Sequence, residues 1–157
     1  MDIFNPQICL SKYLKNSWAT NIKYSQVPQK VPVDLVGGVP RLRLEYDDAS
    51  DQDWFAAAIP LSPDWRSIDI SNYKHLTFNI YSEQIIGGLV RLEDSEGVES
   101  TDFELEKSIV PETDVSVRIR IQALLDGSSA FNKQKCRLLK IIGYKGAAFY
   151  VSEISLE

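Results

Sequence analysis

The sequence holds one histidine, two cysteines and one methionine in 157 residues. Hydrolytic nucleophiles usually need an imidazole against a serine or cysteine, and His75 alone leaves little room for one. No serine sits in a G-x-S-x-G elbow, and neither Cys9 nor Cys136 has a catalytic context. No Cys/His spacing suits zinc, and Gly37-Gly38 and Gly87-Gly88 lack the lysine of a phosphate loop. No apolar run approaches the ~20 residues that span a bilayer. Acidic residues outnumber basic ones 22 to 17, for a net charge of −5. That balance argues against nucleic acid and against an anionic membrane surface as partners. Met1 to Pro6 offers no basic region followed by an apolar one. The expectation is either a cytoplasmic protein or an excised extracellular piece. Cys9 and Cys136 are compatible with a long-range pair or with two buried thiols.

What the chain does have is ordinary globular composition, 44% hydrophobic and 25% charged, with the length of a single domain over residues 1–157. Its dominant signal is alternation. Arg41 to Tyr46 puts Leu42, Leu44 and Tyr46 on one face; His75 to Tyr81 does so with Leu76, Phe78 and Ile80; Val115 to Ile121 does so with four β-branched residues. Trp54 to Ile59, Gly88 to Asp94, Leu138 to Tyr144 and Ala148 to Leu156 read as further strands. Short turn-rich segments separate them, such as Asp94-Ser95-Glu96-Gly97 and Asp126-Gly127-Ser128-Ser129. The pattern predicts an all-β antiparallel sandwich. Short helical turns are expected only at Pro6 to Lys15 and Ile121 to Leu125. The proline-bearing stretch from Lys23 to Pro40 reads as loop or edge strand.

Within that frame, Phe55, Ala57 and Ile59 should face the core and Trp54, Ala56 and Ala58 should face out. Two outward alanines beside a large ring make the low floor of a groove. Sugars present apolar C–H faces and hydroxyl rims, so such a groove suits them. Tyr81, Arg91, Glu93, Arg118, Arg120 and Gln122 also face outward and can bond hydroxyls. The acidic loop Asp47 to Asp53 carries oxygen ligands for calcium, but it lacks the EF-hand glycine and distal glutamate. No pair of carboxylates stands out as the acid and base of a glycosidase.

Residues Pro63 to Tyr81, PDWRSIDISNYKHLTFNIY, are similar to a W-x-x-x-D-h-S-x-Y-x-x-L-x-F stretch of carbohydrate-binding modules with the galactose-binding-like jelly roll. Leu92 to Gly97 resembles the L-x-D-x-x-G hairpin that follows there. Leu139 to Tyr144 and Phe149 to Leu156 resemble the closing pair of strands. The resemblance covers about residues 40–157; residues 1–39 match poorly. It implies a jelly-roll sandwich that binds a plant or microbial polysaccharide on a sheet face or at loop tips, without catalysis, as part of a larger glycan-degrading protein or complex. It also implies a structural calcium, with Glu153 near the ligating position; Asp47, from the acidic loop, is a second candidate on the loop's own composition. Trp65, just before Ile68 and Ile70, is expected to pack as a plug under its loop. The alternatives are a structural or protein-interaction sandwich that uses the same polar face, and a small sandwich glycosidase.

Overall fold

The computed structural model describes residues 1–4, 17–24, 31–36, 38–85 and 87–157. The expected helical turn at Pro6 to Lys15, with Cys9, lies outside them. Among the described residues, eleven strands form in chain order: β1 (Asp2–Phe4), β2 (Trp18–Thr20), β3 (Val33–Val36), β4 (Val39–Glu45), β5 (Trp54–Pro60), β6 (His75–Tyr81), β7 (Gly88–Asp94), β8 (Phe103–Glu104), β9 (Val115–Arg120), β10 (Cys136–Tyr144) and β11 (Ala148–Leu156). A short α-helix, α1 (Ile121–Leu125), follows β9 directly.

The strands make two antiparallel sheets. The front sheet runs β2-β5-β10-β7-β8 and the back sheet β3-β4-β11-β6-β9. On the back sheet β1 pairs with the C-terminal part of β11, at Ser155 and Ile154, beyond the stretch that β4 covers. The turn around Gly146 carries the chain from β10 in the front sheet to β11 in the back one; at φ +80 it needs a residue without a Cβ.

Alternation forms the sandwich because every second side chain can leave water together. Leu42 and Leu44 from β4, Phe55, Ala57 and Ile59 from β5, Leu76, Phe78 and Ile80 from β6, and Phe149 and Val151 from β11 are all buried in one cluster. Phe55 of the front sheet meets Phe149 of the back sheet at 5.7 Å between ring centroids. Each of the larger side chains contributes about 1.5–3 kcal/mol by burial. Cys136 is a free, buried thiol whose pKa burial pushes up to about 12. The Lys23 to Pro40 stretch supplies the edge strand β3, hairpin-paired with β4.

Candidate functional site

The front sheet turns its outer face into a groove, and register explains how. On β5, Ala58 lies between Trp18 of β2 and Lys140 of β10, and Lys140 lies opposite Arg91 of β7. The next row joins Thr20, Ala56, Ile142 and Leu89 in the same way, and Trp54 faces Tyr144 in the row after that. The two alanines sink the middle of the sheet while larger side chains rise around it. The result is a groove of about 530 Å³ lined by these residues and Glu99. Trp18, Trp54 and Tyr144 keep 49%, 40% and 45% of their surface exposed, so three aromatic side chains stand open to a ligand. An inward glycine makes this possible: Gly143 lies opposite Phe55, leaving room for its ring under the groove floor.

One family description, "Carbohydrate binding domain 30", matches residues 5–157. The chain belongs to this family. It is thus a carbohydrate-binding module, and the match takes in residues 5–39 as well as the portion from residue 40 that carries the sequence resemblance. Among curated proteins the chain has no match. Among solved structures, it is similar to the family 30 module of the cellulosomal cellulase Cel9D-Cel44B of Clostridium thermocellum. That similarity has a TM-score of 0.76 at 19% identity and covers 99% of this chain and 95% of that one. A β-1,2-glucanase from Parabacteroides distasonis contains a similar region, with a TM-score of 0.69 at 13% identity; 99% of this chain covers 24% of that one. The family 11 module of the C. thermocellum cellulase Lic26A-Cel5E gives a TM-score of 0.61 at 14% identity, over 99% and 94% of the two chains. At these identities the structures speak to the fold, and they agree on the sandwich.

The module's groove has an apolar end and a charged end. At the charged end Glu99 accepts from Lys140 Nζ at 2.8 Å and from Arg91, which also donates to Asp102 at 3.0 Å. Lys140 pairs with Glu93 too, and Arg137 reaches Glu93 at 3.5 Å. Burial works against the Glu99 charge, but the hydrogen bond from Lys140 and the Lys140 and Arg91 charges outweigh it and hold the carboxyl below its ordinary range. Burial likewise opposes the Lys140 charge, and its bonds to Glu93 and Glu99 overcome that and raise its pKa. Each cation here already has a carboxylate partner, so the network offers oriented donors and acceptors without a free charge.

The residues anticipated from sequence divide between two opposite faces. Trp54 and Arg91 line the front-sheet groove, and Glu93 lies on the same sheet beyond its charged end, outside the lining. Tyr81 and Arg118 stand on the back sheet, on β6 and β9, where Tyr81 packs against Tyr150 at 6.3 Å and Arg118 pairs with Glu157 at 3.3 Å. Arg120 ends β9 and Gln122 lies on α1, at the end of the sandwich. Alternation separates inside from outside, but it does not say which outside. Trp18, Ile142, Tyr144, Lys140 and Glu99 line the groove without having been anticipated.

Trp65 is not a plug. It is 37% exposed, in a left-handed conformation at φ 64, with the Arg137 guanidinium 6.0 Å from its ring centroid. Through Arg137 and Glu93 it joins the groove's charged end. The left-handed residue breaks the alternation that Ile68 and Ile70 suggest, so their inward register does not extend back to it.

Asp47 and Glu153 do not form one calcium site. Ala148 of β11 lies opposite Glu45 of β4, and extending that register puts the two acids about seven residues apart along the strands, roughly 20 Å. Asp47 Oδ1 accepts from the Ala49 amide at 3.0 Å, closing a turn, and Glu153 accepts from Asn79 at 2.6 Å. Among the described residues no group of three or more His, Cys, Asp or Glu side chains is placed to hold a metal.

Proposed function

We propose that the front groove binds a neutral polysaccharide strand, with Trp18, Trp54 and Tyr144 stacking on successive sugar faces and Arg91, Glu99 and Lys140 bonding hydroxyls. The observation that carries this reading is the three exposed aromatic side chains around the alanine floor. Flat apolar side chains in a shallow groove suit the C–H face of a pyranose, and each stacked ring removes apolar area worth roughly 25 cal/mol per Å². The paired charges keep the groove net neutral, which favours an uncharged glycan.

The module acts without catalysis in this reading, holding a partner enzyme on its polysaccharide. Two of the similar structures support it: one is a module of a cellulase, and in the other the similar region is about a quarter of a glucanase. The test is titration of soluble β-glucans, xylans and mannans into the protein, followed by tryptophan fluorescence. The expected result is saturable quenching by at least one of them, lost in Trp54→Ala. Absence of binding to all three would transfer the groove to the protein-interaction alternative.

A further inference from the structure

A second recess, of about 330 Å³, opens at the end of the sandwich where β6 begins and β9 runs into α1. Its lining includes Lys74, His75, Arg120, Gln122 and Lys133, with Tyr73 beside them and no carboxylate. That is unexpected in a chain of net charge −5. Among the described residues, every lysine and arginine is ion-paired except Lys74, Lys107, Arg120 and Lys133. Three of those four surround this recess.

The backbone holds them there. His75 lies opposite Arg120 across β6 and β9, the Lys74 carbonyl accepts from the Ile121 amide at 2.8 Å, and the Lys133 carbonyl accepts from the Ile70 amide at 2.9 Å. Acids stand at its margin and not in its lining: Asp69 accepts from the Ser71 amide at 2.8 Å and also feels the Lys133 charge, Asp126 accepts from Gln122 at 2.8 Å, and the Glu157 backbone oxygen accepts from the His75 amide at 3.0 Å. Like charges gathered around a recess with low-dielectric walls repel one another and focus a positive potential into it. The recess has the volume of a small-molecule site.

We propose that this recess binds the carboxylate of an acidic sugar, a hexuronate residue, separately from the neutral strand in the front groove. The cations supply charge-assisted hydrogen bonds to the carboxylate. Tyr73, half-buried and packed against the core cluster, supplies a wall for the sugar ring, and His75 is placed for its hydroxyls, with Gln122 already donating to Asp126. The choice of a sugar over another anion rests on the chain's being a carbohydrate-binding module; the charge and the recess do not depend on it.

The test uses NMR titration of the whole chain with sodium glucuronate, glucose and sodium sulfate at low ionic strength. Glucuronate should shift resonances of Tyr73, Lys74, Arg120 and Lys133, with glucose shifting none of them and sulfate binding at least tenfold more weakly. Arg120→Ala and Lys133→Ala should each weaken glucuronate at least tenfold, while Lys107→Ala and Trp54→Ala leave it unchanged. The affinity should fall at 0.5 M salt, because these side chains are exposed to screening. Sulfate binding as tightly as glucuronate, or shifts spread over Lys107 as well, would overturn the proposal. Loss of neutral-glycan binding in Trp54→Ala alongside intact glucuronate shifts would separate the two sites.

Discussion

A Cβ on Gly143 would fall 2.2 Å from Cζ of Phe55, inside the volume that the Phe55 ring occupies. The two residues face each other across β10 and β5, and Phe55 is fully buried. The glycine lets a full phenyl ring lie directly beneath the groove, between the outward Ile142 and Tyr144.

Gly143→Ala should therefore destabilise the module. Overpacking a filled core costs about 1–3 kcal/mol, and the contact here is with the body of a ring that also touches Phe149. A denaturant titration checks the loss. Gly143→Ala with Phe55→Leu should recover part of it; failure of the second change to recover any would mean that the close approach is relieved by backbone movement.

Asp94 gives a second expectation, about acid. The carboxylate is buried and accepts three backbone amides: Glu96 and Val98 at 2.9 Å each, and Asn132 at 3.0 Å. Burial alone would raise its pKa, but those three bonds overcome it and hold the group below its ordinary 3.8. A depressed folded pKa means stability that is complete above about pH 3.8 and is lost as pH falls through the folded value. Melting temperature should therefore drop below pH 4 in the wild type. Asp94→Asn should be less stable at pH 7, by at least about 1 kcal/mol, and should have a flatter acid limb. Parallel acid limbs in the two proteins would remove Asp94 from the explanation.

Asp94 was legible in the sequence as the turn residue of the Leu92 to Gly97 hairpin, and most of the fold was legible in the same way. Regular alternation marked β4, β5, β6, β7, β9, β10 and β11 because each long strand buries one face. β2, only three residues long, gave no period to read, and it carries Trp18. The groove was half legible: Trp54 and its alanine floor followed from register within β5. What joined them to Tyr144, Lys140 and Glu99, and separated them from Tyr81 and Arg118, was the order of strands across two sheets. That order is set by long-range pairing and leaves no local mark.

The calcium expectation yields a third prediction. Asp47 and Glu153 are held apart, and among the described residues neither belongs to a group of three or more metal-ligating side chains, so we expect neither to anchor a metal. Asp47→Ala and Glu153→Gln should show the same change in melting temperature between millimolar calcium and EDTA as the wild type does. A calcium-dependent difference confined to either variant would restore that residue as a ligand.

The last prediction separates the two faces. Trp18→Ala should cost the module more binding than any change on the back sheet, although Trp18 and Tyr81 are both outward aromatic residues on antiparallel strands. Trp18 lies opposite Ala58, over the sunken floor, with nearly half of its surface open. Tyr81 packs against Tyr150 and has the Arg41 guanidinium 5.8 Å from its ring centroid, so protein already covers part of it. Truncating a stacking tryptophan at a binding hot spot costs about 2 kcal/mol or more, a roughly thirtyfold loss of affinity. Tyr81→Ala should leave affinity for the same neutral polysaccharide within twofold, and so should Arg118→Ala, whose partner Glu157 directly follows β11 of the back sheet. Circular dichroism melts must accompany the titrations, because Trp18 sits on an edge strand held by only three residue pairs to β5. If Trp18→Ala melts like the wild type and loses affinity, the front groove holds the strand. If Tyr81→Ala loses the affinity instead, the polysaccharide lies on the back sheet and the alanine floor has another purpose.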